Sequence, residues 1–248
     1  LDPIATGVLV LVIGKATILV DYLTSLEKEY IAKICLGIAT DTLDNTGNIE
    51  KTEEVFVTEE EIDAILKNMI GTYEQEVPKY AAVKVNGKKL YEYARAGEEV
   101  VLPKRSVTIF KLERISNIEK LDGKLYFSIK TTVSKGTYIR SLIRDIALNL
   151  HTVGMMCELR RTRQGNFSID MSNTVTELKE NNVNVLSISD VLKDIKRVVV
   201  DSYMQQKIKN GSLLPNNYQL DKVLFVSKSG TLLAIYKPYK KNSNLIKP

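Results

Sequence analysis

The sequence has few of the residues that build metal centres. Its 248 residues include two cysteines, Cys35 and Cys157, one histidine, His151, and no tryptophan. The cysteines lie far apart and form no CxxC pair, so together with one histidine they provide no zinc ligand set. We therefore expect no metal, and this cysteine usage fits a reducing cytosol.

Long hydrophobic runs are also missing. The longest unbroken apolar run, residues 8–13, is far shorter than the about 20 residues that span a bilayer. It also lacks the preceding basic segment of a signal peptide. The sequence therefore predicts a cytoplasmic protein with no membrane partner.

The charge balance is mildly basic. The formal net charge is +5, and the hydrophobic and charged fractions of 44% and 26% are ordinary for a globular protein. A small positive excess permits a polyanionic partner without requiring one. A chain of this length can bury a sizeable core in one or two domains.

Alternating apolar residues predict several strands. They occur over residues 28–37, 106–115 and 124–133, and "ELRRTRQGNFSI" at 158–169 predicts a basic strand. The apolar run 7–13 predicts a further strand that is buried on both faces.

Two helices have clear sequence signals. Thr58 and Glu61 form a capping box at the start of one, which Gly71 ends. In "SKGTYIRSLIRDIALNLH" the apolar residues between 139 and 150 recur at helical spacing. This spacing puts Arg140 in the first turn, off the apolar stripe.

The C-terminal third differs from what precedes it. Residues 173–194 indicate short helices and a linker, and from about 195 a helix and the hairpin "KVLFVSKSGTLLAIYKP" indicate a small β-rich domain. We therefore predict an α+β chain with a domain at 1–172, linker helices at 173–194 and a small domain at 195–248.

Two familiar ligand loops are excluded by their residues. "GVLVLVIGK" has six apolar strand formers between its glycines, where a phosphate loop needs flexible backbone. "DTLDNTGNIE" resembles a calcium loop only loosely, because Leu43 stands where an oxygen ligand is required.

Two other stretches fit an anionic partner. In "VSKGTYIR" a glycine turn leads into a helix N-terminus, flanked by Lys135 and Arg140, and Tyr138 can stack on a base. The alternative is a capped helix with solvated charges. In "ELRRTRQ", three closely spaced arginines indicate either a solvated strand face or a groove that follows a nucleic-acid backbone: Arg160, Arg161 and Arg163.

Five motifs taken in order carry a more specific signal. "LDPIATGVL", "KEYIAKICLG", "VPKYAAVKVNGKKLYEYARAG", "SKGTYIRSLIRDI" and "ELRRTRQGNFSI" closely resemble the TruB family of tRNA pseudouridine synthases. The resemblance covers residues 1 to about 170, and the tail is similar to that family's small RNA-binding domain.

The resemblance implies a fold, a reaction and a partner. The fold is a mixed β-sheet pseudouridine synthase fold with flanking helices, a thumb insertion at about 72–100, and a PUA-like domain at 195–248. The reaction converts uridine-55 in the T loop of tRNA to pseudouridine without a cofactor. We expect a monomer that binds the T stem-loop, with Lys135 and the three arginines contacting RNA.

The same resemblance implies individual roles. Asp2 matches the catalytic aspartate, and Tyr30 matches the tyrosine that lies against the target base. Tyr138 and Arg140 match the tyrosine and arginine of KGTYIR, whose arginine pairs with the aspartate. Leu159 matches the leucine that shapes the uridine pocket. We hypothesise that the Tyr30 hydroxyl also relays the C5 proton.

The chain departs from the family pattern at several places. The family's "GHTGT" before the aspartate is absent, so we expect a missing upstream segment whose restoration raises activity. Val77 replaces one of two thumb prolines and Ala81 replaces a serine, which we expect to adjust packing. A non-catalytic tRNA-binding or RNA-folding protein remains the alternative. The synthase of a guide-RNA particle is disfavoured by the short tail.

Overall fold

The computed structural model describes residues 2–180, 183 and 185–248 of the chain. The chain divides into two compact units, with the boundary between Ser172 and Asn173. Within the described residues, no helix has both the length and the apolar character needed to span a membrane.

The first unit is built on a mixed sheet. Its strands are β1 (Thr6–Gly7), β2 (Lys28–Leu36), β3 (Ile38–Thr40), β4 (Ile49–Thr52), β5 (Gly71–Glu76), β6 (Lys84–Val85), β7 (Lys88–Lys89), β8 (Lys104–Arg114), β9 (Glu119–Leu121), β10 (Lys124–Val133), β11 (Gly154–Gln164) and β12 (Phe167–Ser168). Its helices are α1 (Val20–Ser25), α2 (Glu59–Asn68), α3 (Leu90–Ala96) and α4 (Ile139–Asn149), with 3-10 turns at Gly14–Leu19 and Ile169–Met171.

Eight of the described strands form this main sheet. Its central path runs β1-β11-β2-β10-β8-β5, with β12 beside β11 and β9 beside β10. β1 runs parallel to β11, and the other pairs are antiparallel. The predicted mixed β-sheet fold is therefore confirmed.

The core lies where α2 and α4 pack on the sheet. Alternate residues of β2 and β10 face this core, because successive strand side chains point to opposite sides. The predicted apolar stripe of α4 is buried in the same cluster. The buried residues of these elements include Ala32, Ile34, Leu36, Leu125, Phe127, Ile129, Ile139, Leu142, Ile143 and Ile146.

The predicted capping box of α2 is confirmed. The Glu61 N–H donates to Thr58 Oγ1 over 3.2 Å, and the Thr58 N–H donates to the Glu61 carboxylate over 2.8 Å. These bonds satisfy two N–H groups that would otherwise lack partners at the helix start. The helix ends at Asn68, so it stops before Gly71, which begins β5.

The strand predicted over Gly7–Ile13 is wrong in extent and burial. Pairing is limited to Thr6 and Gly7, which lie beside Arg160 and Arg161. Gly7 has a φ of +102°, a conformation that favours glycine, and the Val8 N–H still donates to the Arg161 carbonyl over 2.8 Å. Val8 is buried, but three of the side chains beyond it are exposed, with fractions of 66% to 70%: Leu9, Leu11 and Ile13. An apolar run alone does not reveal how much of it pairs with a neighbouring strand.

The range predicted as a thumb insertion, about residues 72–100, includes part of the main sheet. Residues 72–76 belong to β5, which pairs along its whole length with β8 in the main sheet. We call residues 77–103 the thumb segment. It contains the β6–β7 hairpin and α3, and it has a small core of its own around Val77, Ala81 and Leu90.

The second unit is β-rich, as predicted. Its core is formed by apolar residues from several strands and from the helix at Ser202–Lys209, including Ile208, Phe225 and Tyr236. Residues 181, 182 and 184 of the predicted linker lie outside the described residues. The elements are α5 (Val175–Lys179), α6 (Ile188–Val191), β13 (Arg197–Val200), α7 (Ser202–Lys209), β14 (Leu214–Pro215), β15 (Val223–Ser227), β16 (Leu232–Tyr239) and β17 (Asn242–Lys247), in the sheet order β13-β15-β16-β17-β14.

Candidate active site

Asp2 lies in a tight turn that leads into the edge of the main sheet. Pro3 follows it and restricts its backbone to extended conformations. The Ala5 N–H donates to the Asp2 carbonyl over 2.9 Å, and the chain then enters β1. The turn therefore holds the carboxylate at a fixed point beside β11.

Arg140 holds the Asp2 carboxylate with two hydrogen bonds. Nε donates to Oδ2 over 2.9 Å and Nη2 donates to Oδ1 over 2.8 Å. A planar guanidinium fits a carboxylate in this way, and both bonds are charge-assisted. Arg140 occupies the first turn of α4, as predicted, but its side chain is only 5% exposed. The alternative of a solvated helix charge is therefore wrong.

The remaining donors of Arg140 reach two other segments of the chain. Nη1 donates to the Thr42 carbonyl over 2.8 Å, and Nη2 donates to the Tyr80 carbonyl over 3.1 Å. Tyr80 belongs to the thumb segment. The guanidinium thus ties together the Asp2 turn, the β3–β4 loop and the thumb segment.

Asp44 is a second carboxylate of this site that the sequence reasoning missed. Its Oδ2 lies 3.6 Å from Arg140 Nη1, and the side chain is buried. Its Oδ1 accepts hydrogen bonds from the Thr42 hydroxyl over 2.8 Å and from the Thr46 N–H over 3.0 Å. The signal was present in "DTLDNTG", because alternating Asp and Thr residues are typical of loops that bond to their own backbone.

Tyr30 lies on the core face of β2, opposite Arg161 and Thr131. Burial raises the pKa of its hydroxyl, the charge of Arg161 opposes this shift, and the charge of Asp2 adds to it. Tyr30 therefore keeps its proton at neutral pH. Arg161 pairs with Tyr30 on one side and with Gly7 on the other, so Tyr30 lies one strand away from the end of the Asp2 turn.

The three arginines of β11 do not form one exposed groove, and this prediction is wrong for Arg161. Its side chain is buried, and Nε donates to the Val8 carbonyl over 2.7 Å. Neighbouring residues of a strand face opposite sides, so Arg160 is exposed where Arg161 is not. Arg163 is half-buried and pairs with Glu27 over 2.8 Å.

The other predicted residues lie around this centre or at the surface. Tyr138 is half-buried at the start of α4, and burial raises its pKa, while Arg105 and Arg140 oppose the shift. Leu159 is buried in the main core and pairs with Ala32. Lys135 is exposed in the turn before α4.

The site offers one carboxylate to a bound substrate. Asp2 keeps a quarter of its side-chain surface exposed, whereas Asp44 is enclosed. A substrate can therefore reach Asp2 alone of these two. The described residues contain no group of three or more His, Cys, Asp or Glu side chains placed to hold a metal ion.

Two solved structures share the fold of this chain. A chain of the "Crystal Structure of a Cbf5-Nop10-Gar1 Complex" matches 96% of this chain and 67% of its own length, with a TM-score of 0.64 and 23% identity. A chain of the "Structure of H/ACA RNP bound to a substrate RNA containing 2'-deoxyuridine" covers the same shares, with a TM-score of 0.62 and 22% identity. At such identity the likeness shows the fold alone.

The sequence comparisons identify the family. "TruB family pseudouridylate synthase (N terminal domain)" matches residues 1–139, and "tRNA pseudouridylate synthase B C-terminal domain" matches residues 140–205. The tRNA pseudouridine synthase B of Bacillus cytotoxicus is 39% identical over 100% of this chain and 84% of the relative. That of Halalkalibacterium halodurans is 38% identical over the same shares. The chain belongs to the TruB family of pseudouridylate synthases, which are isomerases.

Proposed function

We propose that this chain isomerises uridine-55 in the T loop of tRNA to pseudouridine, with Asp2 as its catalytic carboxylate. The observation that carries the proposal is the two-bond pairing of Asp2 with the buried guanidinium of Arg140. Family membership supports the class of reaction, and the names of the relatives support tRNA as the substrate.

The reaction requires a catalytic group that can act on the ribose and is regenerated at the end of the reaction. Pseudouridine formation breaks the bond between uracil N1 and ribose C1′, turns the base, and joins C5 to C1′. N1 gains a proton and C5 loses one, so the product is an isomer. A carboxylate can attack C1′ as a nucleophile or remove a proton from C2′ as a base, without a metal or a cofactor.

Arg140 suits the needs of such a carboxylate. Asp2 must stay ionised and correctly aimed after RNA has displaced water from the site. A bidentate guanidinium supplies both the compensating charge and the orientation. The contacts from Arg140 to the Thr42 and Tyr80 carbonyls support this role, because they fix the guanidinium independently of Asp2.

Tyr30 suits the target base. The uridine must leave its stack to reach Asp2, which costs a few kcal/mol, and the ring of Tyr30 can receive it. We propose that the Tyr30 hydroxyl also relays the C5 proton. Its raised pKa supports this role, since a neutral hydroxyl can accept one proton while donating another. Tyr138 and Leu159 complete the proposed uridine pocket.

We propose that the RNA surface includes exposed cations near the site and the C-terminal unit. Lys135 and Arg160 are exposed and suit phosphate contacts. Arg163 is half-buried and already paired, so we assign it a smaller share. Residues 195–248 act as a PUA-like RNA-binding domain joined through residues 173–194. We further propose a monomer that works in the cytoplasm.

The proposal is tested with an unmodified tRNA transcript. The chain is incubated with the transcript, and pseudouridine is mapped chemically at each uridine. We expect modification at uridine-55, and none in a transcript with cytidine at that position. Tight binding and remodelling of tRNA without isomerisation would favour the RNA-folding alternative. Modification at a different uridine would overturn the assignment of the target.

A further inference from the structure

A buried glutamine connects β5 to the helix that carries Arg140. Gln75 is 1% exposed, and both ends of its amide have partners. Its Oε1 accepts the N–H of Tyr138 over 2.8 Å, and its Nε2 donates to the Tyr73 hydroxyl over 2.7 Å. The orientation of the amide follows from these partners, since a backbone N–H can only be met by the oxygen.

Gln75, which lies on β5, accepts the backbone N–H at the start of α4. Tyr138 is the N-cap of this helix, and its own side chain makes no capping bond. In a capping box the third helical residue accepts the N-cap N–H. In α4 that residue is Ser141, whose hydroxyl donates to the Glu76 carbonyl over 2.8 Å instead. The Tyr138 N–H therefore depends on Gln75.

The start of α4 determines where Arg140 lies. Arg140 is two residues beyond Tyr138, within the first helical turn, where helices fray when their N–H groups are unpaired. A looser first turn would move the guanidinium relative to the Asp2 carboxylate. It would also move the Tyr138 ring, whose charge interactions include Arg140 and Asp2.

The Nε2 end of Gln75 is fixed through Tyr73 and Asp145. The Tyr73 hydroxyl donates to Asp145 Oδ2 over 3.1 Å, and Asp145 Oδ1 accepts from Arg144 Nε over 3.0 Å. Burial and the charge of Asp145 raise the pKa of Tyr73, so its hydroxyl stays a donor. The oxygen of that hydroxyl can therefore accept the hydrogen bond from Gln75 Nε2, while its proton is donated to Asp145.

We propose that Gln75 is a positioning residue of the active site, which fixes the first turn of α4 and thereby aims Arg140 at Asp2. This inference deepens the proposed function and rests on it. The hydrogen bonds of the Gln75 amide go to Tyr138 and Tyr73 and not to Asp2. Its effect on the reaction passes through the Tyr138 N–H.

The test compares Gln75→Leu with Gln75→Glu and a matched control. Leucine removes the acceptor for Tyr138, whereas glutamate keeps an acceptor oxygen. Gln164→Leu is the control, because Gln164 is also a buried glutamine of the main sheet, but it donates to the Leu23 carbonyl over 3.1 Å. Three quantities are measured for each variant: amide hydrogen exchange at residues 138–141, the single-turnover rate, and the affinity for tRNA.

For Gln75→Leu we expect faster exchange at residues 138–141 and a rate reduced by about 10- to 100-fold, since misplacement of about 1 Å can cost roughly a hundredfold. Affinity for tRNA should stay within about threefold, because binding uses other surfaces. Gln75→Glu should recover most of both readouts, and Gln164→Leu should change neither.

Unchanged exchange at residues 138–141 in Gln75→Leu would overturn the inference, as would a rate that matches the parent. Equal losses in Gln75→Leu and Gln164→Leu would also overturn it, because the role would then be purely structural. If the parent lacks isomerase activity, the proposed function fails. In that case the exchange experiment still decides whether Gln75 holds the first turn of α4.

Discussion

Replacing Arg140 by lysine keeps the charge and removes the geometry. Arg140 makes four hydrogen bonds through three nitrogens: two to Asp2, one to the Thr42 carbonyl and one to the Tyr80 carbonyl. Lysine has one nitrogen with three donors and cannot reproduce a planar fork. One ammonium nitrogen cannot occupy the positions of three guanidinium nitrogens, so we expect Arg140→Lys to lose one bond to Asp2 and one to a carbonyl.

The size of the effect follows from these lost bonds. A hydrogen bond to a charged group contributes about 1.5–3 kcal/mol net, so two lost bonds amount to about 3–6 kcal/mol. If the full loss falls on the transition state, the rate declines by about two to four orders of magnitude, at about 1.4 kcal/mol per tenfold. Affinity for tRNA should change far less, because the Arg140 side chain is buried and bonded to groups of the chain itself.

The assay is single-turnover isomerisation of an unmodified tRNA transcript at saturating enzyme. Arg114→Lys is a matched control, since Arg114 also grips a carboxylate with two bonds, to Asp63 over 2.9 and 2.8 Å, but does so between β8 and α2. Arg114→Lys should lower the melting temperature and keep the parental rate. A rate for Arg140→Lys within about threefold of the parent would refute the argument that two-bond geometry matters.

Three other predictions address binding and stability. Arg160→Ala should reduce the slope of log affinity against log salt by somewhat under about one unit, because Arg160 is exposed. Arg161 is buried, so Arg161→Ala should leave the slope unchanged and lower the melting temperature. Equal changes of slope in the two variants would contradict this assignment. Burial, with the charges of Arg161 and Lys135, lowers the pKa of Lys28 from 10.5 to about 8, so the unfolded chain binds more protons between those values. The free energy of unfolding should then rise over that window in the parent but less in Lys28→Met, and identical pH profiles would refute this. Removing residues 195–248 should weaken tRNA binding and preserve isomerisation at saturating enzyme, and unchanged affinity would exclude that segment as an RNA-binding domain.

Periodicity predicted the elements that have one buried face. The strands β2 and β10 and the helices α2 and α4 each place apolar residues at the spacing of their own geometry, so the pattern reveals them. The same logic failed for residues 7–13. Whether an apolar run is buried depends on a partner strand, and the pairing of β1 stops at Gly7.

The site was less accessible to pattern reasoning than the fold. The pairing of Asp2 with Arg140 was expected from the family resemblance, since no local pattern links residues 138 positions apart. Asp44 was missed because its loop was considered only as a calcium site. Arg161 was misassigned because the closely spaced arginines were treated as one exposed surface. Neighbouring side chains of a strand point to opposite sides, so Arg160 is exposed and Arg161 is buried.

The most direct test of the central claim is the single-turnover rate of Asp2→Asn on an unmodified tRNA transcript. Asparagine keeps the shape of the side chain and can neither attack ribose nor accept its proton as a carboxylate does. The exposed aspartate of α1 supplies the control variant, Asp21→Asn. The account predicts no pseudouridine from Asp2→Asn, with tRNA affinity within a few-fold of the parent and full activity in the control. Isomerisation by Asp2→Asn at the rate of the control would contradict it.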